Sequence, residues 1–545
     1  MTELLLIAAA VIALCVVLNK ISGKLGIPML LGFIVLGMLF GSDGIIKIPY
    51  DNYATSEAVC SIAMIFIMFY GGFGTKWSAA KPVAANALIL SSLGTVLTAG
   101  LVGIFCHFAL KIPMLESFLI GAVISSTDAA SVFSILRSKK LGLKNGTASL
   151  LEVESGSNDP FSYMLTVIML SLMNGSVSGA SVVYMLFAQI VYGAVAGVAI
   201  AILTLFILKR VKLPSGGFEA IFIVAVAVAA YALPTYFGGN GFLSTYITGI
   251  ILGNHRMPNK QSMVSFFDGI TGLMQMLLFF LLGLLSFPSQ LPSVALIGLA
   301  VALFLTFVAR PASVFAIMTP FKCSVRQKLL VSFAGMRGAA SIVFAIMAVV
   351  DPSSTDNDIF HMVFFIVLFS ILFQGTLLAP FARKLGMIDE GADVMKTFTD
   401  YADEVPVQFM RFTLKGPHKW VGRTISNITL PPDSILALLL RNGKKIVPNG
   451  STVLHDGDTM ILSGKAAEDT EGAEMFEKVI EEGDEEVGKK ISELSYDGLL
   501  IVIIKRGEEV VIPRGNTVLH IGDILVMMSV DDAKTKEITE DASEN

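Results

Sequence analysis

Residues 151–160 read Leu151-Glu-Val-Glu-Ser-Gly-Ser-Asn-Asp-Pro160 and lie inside a long apolar segment. Ionisable side chains within a membrane span are costly, and they usually mark an ion pathway or a proton relay. Ser155 and Asp159 are four residues apart and therefore share one helix face, and Glu154 has the same spacing from Asn158. The proline has no amide hydrogen, so it distorts the helix at this depth. Clustered oxygen atoms beside a distorted helix predict a cation site. The alternative is a buried polar network that only holds helices together.

The composition indicates a membrane protein with an acidic tail. The chain has 545 residues, of which 54% are hydrophobic, and its mean hydropathy is +0.73. Apolar runs fill residues 1 to about 385, and many reach the roughly 20 residues that a bilayer-spanning helix needs. The part from residue 388 onward holds 30 of the 44 acidic residues. The net charge of −5 therefore belongs to the tail and argues against a nucleic-acid partner.

Thirteen apolar segments are predicted to be transmembrane helices. They cover approximately residues 3–19, 28–41, 57–74, 85–110, 115–137, 147–173, 180–208, 217–234, 240–253, 262–286, 291–317, 326–350 and 357–385. Lysine and arginine residues concentrate in every second loop, and the intervening loops hold only Lys47 and Lys111. Under the positive-inside rule, this alternation places the amino terminus outside and the carboxyl-terminal domain in the cytoplasm. We therefore expect a multi-pass protein of the cell inner (plasma) membrane, surrounded by lipid.

Two of these segments carry polar residues near mid-depth. The fifth contains Ser125-Ser-Thr-Asp128, and the twelfth contains Gly335-Met-Arg-Gly338. Both patterns favour an interrupted helix, and interrupted helices at matching places in two halves are typical of inverted-repeat transporters. A buried Arg337 needs an acidic partner. We predict Glu154, because this pairing leaves Asp159 free to titrate. The alternative for Arg337 is a side chain that snorkels to the membrane interface.

Taken together, these motifs resemble the monovalent cation/proton antiporters, in particular the NhaP-like branch of bacterial and archaeal sodium/proton exchangers. The resemblance rests on Thr127-Asp128, on Glu154-Ser-Gly-Ser-Asn158-Asp159 and on Gly335-Met-Arg337-Gly338. A glycine-rich second segment and Phe279-Phe-Leu-Leu-Gly283 in the tenth support it. The match covers most of residues 1–385, and the combination is more specific than any single motif.

This resemblance implies a homodimer of thirteen-helix protomers, each with a dimerisation part and a mobile six-helix core. The fifth and twelfth helices would cross in that core as broken helices. Asp159 would be the carboxylate that the proton and the cation share. The residues implied to support binding of a monovalent cation are Asp128, Thr127, Ser155 and Asn158. Glu154 and Arg337 are implied to form a structural ion pair.

The chemistry of a single mid-membrane carboxylate favours exchange. Such a group holds either a proton or a partly dehydrated cation, and each excludes the other. Asn158 stands where some relatives carry a second aspartate, and this resembles the electroneutral branch. The prediction is an electroneutral potassium and/or sodium/proton antiporter that works by alternating access. It would be a secondary active transporter and not an enzyme, with K⁺, Na⁺ and H⁺ as substrates. The alternatives are a sodium-selective antiporter and a ligand-gated cation channel, although the chain has no Thr-Val-Gly-Tyr-Gly filter.

One position in the third segment departs from the family pattern. The family often has an acidic residue between a phenylalanine and two glycines, whereas this chain reads Phe69-Tyr70-Gly71-Gly72. Loss of a carboxylate there favours a more weakly hydrated ion such as potassium. Tyr70 is equally well explained as an interface aromatic.

The tail contains an internal repeat. Gly450-Ser-Thr-Val-Leu-His-Asp-Gly-Asp458 recurs as Gly515-Asn-Thr-Val-Leu-His-Ile-Gly-Asp523, a spacing of about 65 residues. Apolar runs followed by polar turns predict strands, so we expect two small α/β units. Their pattern resembles the TrkA-C (RCK-C) regulatory domain of potassium uptake and channel-gating proteins.

We predict no resident cofactor. No Gly-x-Gly-x-x-Gly follows a strand in the tail, so NAD binding is not expected. Related domains dimerise and bind small regulators, which makes a cyclic dinucleotide at the tail an expectation of the resemblance. The alternative is a tail that only stabilises the dimer.

The predicted domain organisation has five parts. They are the transmembrane antiporter domain 1–387, a linker 388–406, a first RCK-C-like domain 407–465, a second RCK-C-like domain 466–531, and a disordered tail 532–545.

Overall fold

A computed structural model of the chain divides into two compact units, Met1–Ala402 and Asp403–Asn545. The structure describes residues 2–25, 29–139, 141–175, 179–211, 216–255, 257, 260–353, 355, 357–389, 407–414, 416, 418–428, 430, 434–441, 444–446, 448–465, 474–480, 484, 486–494, 499–506, 509–511 and 513–529. The predicted linker from residue 390 onward and the predicted disordered tail lie outside the described residues.

Each of the thirteen predicted membrane segments coincides with one helix or with two helices in succession. The helices are α1 (Thr2–Leu25), α2 (Met29–Phe40), α3 (Tyr53–Gly74), α4 (Trp77–Ala80), α5 (Ala84–Leu110), α6 (Met114–Val123), α7 (Ala129–Ser138), α8 (Thr147–Met173), α9 (Gly179–Arg210), α10 (Gly216–Tyr236), α11 (Gly241–Gly253), α12 (Lys260–Leu285), α13 (Leu291–Phe304), α14 (Arg310–Met318), α15 (Val325–Phe333), α16 (Ala339–Val350) and α17 (Ile359–Lys384). Among the described residues, seven helical runs are long and apolar enough to cross a bilayer by themselves. The helices α1 and α8 are also long, with 24 and 27 residues, and α8 is polar; the remaining helices are shorter or belong to interrupted segments.

The helices of the membrane unit pack into two groups. One group consists of α1 to α3 with α9 to α12, and the other consists of α5 to α8 with α13 to α17. The groups meet where α16 packs on α3 and where α8 packs on α11. This is the division that a dimerisation part and a six-helix core predict, and both interrupted segments lie in the second group.

Packing in the first group depends on small residues where α2 crosses α12. A Cβ atom at Gly37 would lie 2.2 Å from the carbonyl oxygen of Phe280, and one at Gly283 would lie 2.1 Å from that of Ile34. Helices in lipid associate through close backbone packing, because lipid supplies no hydrophobic drive to bring them together. This contact explains the glycine-rich second segment and the glycine that ends the motif in the tenth.

The fifth and twelfth segments are both interrupted, as predicted. In the fifth, α6 ends at Val123 and α7 begins at Ala129; in the twelfth, α15 ends at Phe333 and α16 begins at Ala339. The second and ninth segments also resemble each other, because both form short helices: α2 has 12 residues and α11 has 13. These pairs are seven segments apart, which is the relation that an inverted repeat with a linking seventh helix predicts.

A short two-stranded ribbon connects the segment after α7 with the segment after α17. β1 (Gly142–Leu143), which follows α7, pairs antiparallel with β2 (Ile388–Asp389), which follows α17. The chain that leaves the membrane unit is therefore tied to the segment behind the broken fifth helix.

The tail unit repeats one sheet topology. The first sheet has the order β3-β6-β4-β5 and the second has the order β7-β10-β8-β9, with every neighbouring pair antiparallel. The strands are β3 (Val407–Thr413), β4 (Ser434–Arg441), β5 (Lys444–Ile446), β6 (Thr459–Lys465), β7 (Glu474–Val479), β8 (Leu499–Arg506), β9 (Glu509–Val511) and β10 (Asp523–Ser529). The helical content of these units, over the residues that the structure describes, is limited to 3-10 turns at Ile425–Asn427 and Ile491–Glu493. The predicted repeat and its strands are confirmed, while an α-helical part is not found among those residues.

Candidate functional site

The two interrupted segments cross at their breaks. The backbone N–H of Asp128, in the break between α6 and α7, donates to the carbonyl oxygen of Met336, in the break between α15 and α16, at 2.8 Å. Backbone groups freed from a helix need partners when they are buried, and each break supplies one to the other. The ends of four half-helices therefore meet at one place.

Asp159 lies on α8 beside this crossing. Its side chain is only 8% exposed, and its Oδ1 accepts a hydrogen bond from the hydroxyl of Ser126 in the first break. Ser126 was not among the predicted site residues, although it belongs to the polar cluster of the fifth segment.

Thr127 is held to α8 by two side chains. The amide nitrogen of Asn158 donates to the hydroxyl of Thr127 at 2.6 Å, and its carbonyl oxygen accepts from the backbone N–H of Thr127 at 3.3 Å. The hydroxyl of Ser155 donates to the carbonyl oxygen of Thr127 at 2.6 Å. These three bonds satisfy the extended backbone of the break and fix it against the helix that carries Asp159. The structure thus brings together four of the five predicted ion-site residues.

Asp128 is oriented differently. It immediately precedes α7, and its carboxylate accepts from the backbone N–H of Ser131 at 3.2 Å and from the Ser131 hydroxyl. This is the geometry of a helix N-cap, and the half-buried carboxylate adds negative charge at the positive end of α7. These bonds give Asp128 a structural role in the break.

The predicted ion pair between Glu154 and Arg337 is wrong. Both carboxylate oxygens of Glu154 accept from Nη2 of Arg310, each at 2.9 Å, and both side chains are buried. Glu154 also accepts from the amide of Asn158 at 3.1 Å. Arg310 begins α14, directly after a π-helical stretch, Leu305–Ala309.

Arg337 instead binds the end of a half-helix. Its Nη1 donates to the carbonyl oxygens of Ser125 and Ser126, at 2.8 and 2.6 Å, and its backbone N–H donates to the hydroxyl of Ser370 at 3.0 Å. A helix carries partial negative charge at its carboxyl end, where its last carbonyls lack partners. The guanidinium of one break therefore compensates the helix end in the other.

The two glycines that flank Arg337 create space for its neighbours. A Cβ atom at Gly335 would lie 2.6 Å from Nε of Arg310, and one at Gly338 would lie 2.3 Å from Oδ2 of Asp128. Any side chain at either position would displace a charged group of the crossing. The Gly335–Gly338 motif is thus explained by packing as well as by chain interruption.

Arg310 is the main residue that the sequence interpretation missed. The signal was present, because an arginine in the middle of the apolar run 291–317 must be buried with a partner or exposed to water. The π-helical stretch before it had no recognisable pattern. π-Bulges are frequent at functional sites, and this one directly precedes the arginine that meets Glu154.

Tyr70 has a specific partner. Its hydroxyl donates to Oδ1 of Asp268 on α12 at 3.1 Å. The acid that the family pattern places on the third segment is absent, but a carboxylate from the tenth segment reaches the same region. The third segment lacks the acid, but the region around Tyr70 keeps a carboxylate.

Family comparisons agree with this architecture. Residues 9–384 match the family described as "Sodium/hydrogen exchanger, transmembrane", and residues 409–468 and 475–535 match the TrkA-C domain. The chain is 32% identical over 468 residues to the K(+)/H(+) antiporter NhaP of Alkalimonas amylolytica, covering 85% of this chain and 81% of the relative. It is 32% identical over 467 residues to the K(+)/H(+) antiporter NhaP2 of Shewanella sp. (strain ANA-3), covering 84% and 81%.

Two further relatives match mainly the membrane unit. The Na(+)/H(+) antiporter NhaH of Halobacillus dabanensis is 25% identical over 416 residues, covering 71% of this chain and 97% of the relative. The solved structure of the sodium proton antiporter MjNhaP1 from Methanocaldococcus jannaschii superposes with a TM-score of 0.62 at 24% identity, covering 71% of this chain and 99% of that one. This last likeness concerns the fold. The chain belongs to the sodium/hydrogen exchanger family of cation/proton antiporters, as an integral membrane transporter that also carries two TrkA-C domains.

Proposed function

We propose that this protein is an electroneutral potassium/proton antiporter that also accepts sodium, and that cation and proton compete for Asp159. The observation that carries the proposal is the position of this carboxylate. It is buried on α8 at the crossing of two interrupted helices and is hydrogen-bonded to Ser126 from one break. Carboxylates at such depth and beside interrupted helices are typical of ion and proton sites in secondary transporters.

A single carboxylate that binds either a proton or a monovalent cation accounts for electroneutral exchange. When Asp159 binds a cation it loses its proton, and when it is protonated the cation leaves, so each turnover moves one positive charge in each direction. Ser126, Thr127 and Ser155 supply hydroxyl and carbonyl oxygens nearby, which replace part of the hydration shell. Glu154 does not add a second exchangeable charge, because Arg310 neutralises it. Asn158 is neutral and ties Thr127 to Glu154.

Potassium is favoured by the relatives with the higher identity. The NhaP and NhaP2 proteins at 32% identity are named K(+)/H(+) antiporters, whereas NhaH, at 25%, is named for sodium. The replacement of an acid by Tyr70 pointed the same way, but Asp268 supplies a carboxylate to that region. A sodium-selective antiporter is therefore the second candidate, and it is supported by the family description.

Alternating access would come from motion of the second helix group against the first. The second group holds Asp159, both breaks and the Glu154–Arg310 pair, so the site would move as one body. We place the amino terminus outside, the tail in the cytoplasm and the protein in the inner (plasma) membrane as a homodimer, because the basic loops and the family resemblance support this arrangement.

We propose that the tail regulates transport, with a cyclic dinucleotide as the expected class of ligand. The ribbon between β1 and β2 ties the end of the membrane unit, from which the chain continues toward the tail, to the segment that follows α7. Full-length protein and a truncation after residue 395 should therefore differ in their rate or in their response to an added cyclic dinucleotide. Identical behaviour would leave the tail with a stabilising role only.

The exchange itself is tested in vesicles that contain purified protein and a trapped pH dye. Adding K⁺ or Na⁺ outside should alkalinise an acidic lumen, and clamping the membrane potential should leave the rate unchanged. Asp159→Asn should abolish the signal because the amide can neither bind a proton nor balance a cation. Robust exchange by this variant would remove Asp159 from the mechanism, and a strong dependence on membrane potential would favour a channel.

A further inference from the structure

Tyr246 is a buried tyrosine at the boundary between the two helix groups. It lies on α11 in the first group and is 2% exposed. Its hydroxyl oxygen has the side chains of Thr75 and Ser157 beside it, but it makes no hydrogen bond of good geometry with any residue that the structure describes. A buried polar group without a partner is destabilising and rare in native proteins, so this oxygen requires an explanation. A partly hydrated ion is one species that would supply the missing contact.

The ring of Tyr246 fits against Gly156 of α8. A Cβ atom at Gly156 would lie 2.6 Å from Cε2 of the ring and 2.7 Å from the hydroxyl oxygen. Glycine is needed here because any side chain would push the phenol away from α8. The phenol oxygen therefore lies at the surface of the helix that carries the candidate ion site, on a residue that belongs to the opposite helix group.

Gly156 separates two carboxylates on one face of α8. Glu152 is four residues before it and Asp159 is three residues after it, and residues at these spacings have Cβ atoms about 5–6 Å apart. Both acids are buried, with side chains that are 8% exposed. The phenol oxygen thus lies between a carboxylate near the Thr147 end of α8 and the carboxylate at the crossing.

We propose that the hydroxyl of Tyr246 and the carboxylate of Glu152 form a second cation position, through which a partly dehydrated monovalent cation reaches Asp159 from the Thr147 end of α8. This inference rests on the proposed exchange function. The phenol supplies a neutral oxygen, and Glu152 supplies the charge that draws the cation out of water. The two ligands of this position belong to different helix groups. Movement of one group against the other would therefore separate them, and the cation would then be held by Asp159 alone.

The position is tested with Tyr246→Phe, which removes one oxygen and keeps the ring against Gly156. In the vesicle assay, the K⁺ concentration for half-maximal exchange should rise about tenfold. The cation loses its contact with the phenol oxygen, and such a contact is about as strong as a hydrogen bond to a charged group. The maximal rate should stay within about twofold, because Asp159 is untouched. Glu152→Gln should raise the half-maximal concentration as well. The double variant should add little to the larger single effect, since both changes remove one position.

Tyr231→Phe is the matched control. Tyr231 is on α10 and packs against Phe242 at a ring-centroid distance of 4.9 Å, so its loss of a hydroxyl should leave the K⁺ dependence unchanged. A second measurement does not depend on transport: K⁺ should raise the melting temperature of purified wild-type protein, and Tyr246→Phe should need about tenfold more K⁺ for the same rise.

The outcomes separate the inference from the proposed function. If wild-type protein exchanges, Asp159→Asn does not, and Tyr246→Phe and Glu152→Gln both keep the wild-type K⁺ dependence, then only the second cation position is refuted. The same holds if Tyr231→Phe shifts the dependence as much as Tyr246→Phe. If wild-type protein shows neither exchange nor stabilisation by K⁺, the proposed function falls and the second position falls with it.

Discussion

Glu154 meets its counter-ion on the eleventh segment rather than on the twelfth. The sequence identified a buried acid and a buried arginine correctly but joined the wrong two, because the choice between Arg310 and Arg337 depends on which helices pack together. No local pattern determines that packing. The bidentate contact at 2.9 Å from both carboxylate oxygens leaves Arg337 to bind the carbonyls of the first break.

This pairing predicts a strong coupling between Glu154 and Arg310. Arg310→Met should lower the free energy of unfolding in detergent by about 3–5 kcal/mol, because it leaves a buried carboxylate without its cation. Glu154→Gln in the same chain should recover a large part of that loss. The measurement is a double-mutant cycle on thermal unfolding.

A parallel cycle between Glu154 and Arg337 serves as the control. The coupling free energy between Glu154 and Arg337 should be less than half of that between Glu154 and Arg310, since Arg337 donates to the carbonyl oxygens of Ser125 and Ser126 instead. Equal coupling in the two cycles, or a larger one for Arg337, would contradict the assignment made here.

At the scale of single residues, the oxygen cluster was predictable and its internal contacts were not. Ser155, Asn158 and Asp159 share one short stretch of helix, so their proximity follows from the sequence alone. Their bonds to Thr127 and Ser126 depend on the crossing of a distant segment. Tyr246 was not singled out at all, because a tyrosine in an apolar segment has no distinguishing pattern until Gly156 is seen beneath its ring.

At the scale of helices, both interruptions were predictable from composition. A Ser/Thr/Asp cluster and an arginine between glycines each disfavour a continuous helix, and both segments break within those residues. The π-helical stretch Leu305–Ala309 was not predictable, because its residues show no pattern that distinguishes it from the α-helices on either side. The division into two helix groups likewise required the fold.

The close contact between α2 and α12 can be tested with two glycines of α12, one at the contact and one away from it. Gly283→Ala should destabilise the protein by about 1–3 kcal/mol, because its methyl group would collide with the backbone of α2 and force α2 and α12 apart. Gly269→Ala, on the same helix, has open space around it. It should be neutral or stabilise the protein by up to about 1 kcal/mol, the gain in helix propensity.

Thermal unfolding of the two variants in the same detergent makes the comparison direct. If Gly269→Ala destabilises as much as Gly283→Ala, helix propensity and detergent effects dominate and the proposed backbone contact has no special weight. The expected difference in stability between the two variants follows only from the distance of each glycine to its neighbouring helix.

For the whole molecule, the sequence predicted the order of parts better than their internal structure. The repeat of about 65 residues was visible as matching segments, and both copies fold into sheets of one topology with equivalent ion pairs, Arg441 with Asp458 and Arg506 with Asp523. The expectation of α/β units came from the repeat and from its apolar runs. It was less accurate than the strand pattern, since an apolar run and a turn identify strands but not what lies between them.

The equivalent ion pairs predict that the stability of each of the two TrkA-C domains depends on pH. We call these domains the first and the second unit of the tail. Burial alone would raise the pKa of Asp458, but bonds from Arg441 and from the backbone N–H of His455 lower it below its ordinary value. The unfolded chain therefore binds a proton at higher pH than the folded chain does. The stabilisation is complete at neutral pH and is lost as pH falls from about 4 through the folded pKa. Asp458→Asn should lower the stability of the first unit by about 2 kcal/mol at pH 7.

Trp420 reports on the first unit in the full-length protein. The chain has two tryptophans, so Trp77→Phe leaves only Trp420, which packs against Phe412 and His418. Its fluorescence should show a lower unfolding midpoint for Asp458→Asn at pH 7, and the difference from the parent should shrink below about pH 4. Asp523→Asn makes the same change in the second unit, whose core residues form a separate cluster, so it should leave the Trp420 midpoint unchanged. An equal shift from both variants would mean that the two units unfold together, and no shift from Asp458→Asn would show that its ion pair does not stabilise the first sheet.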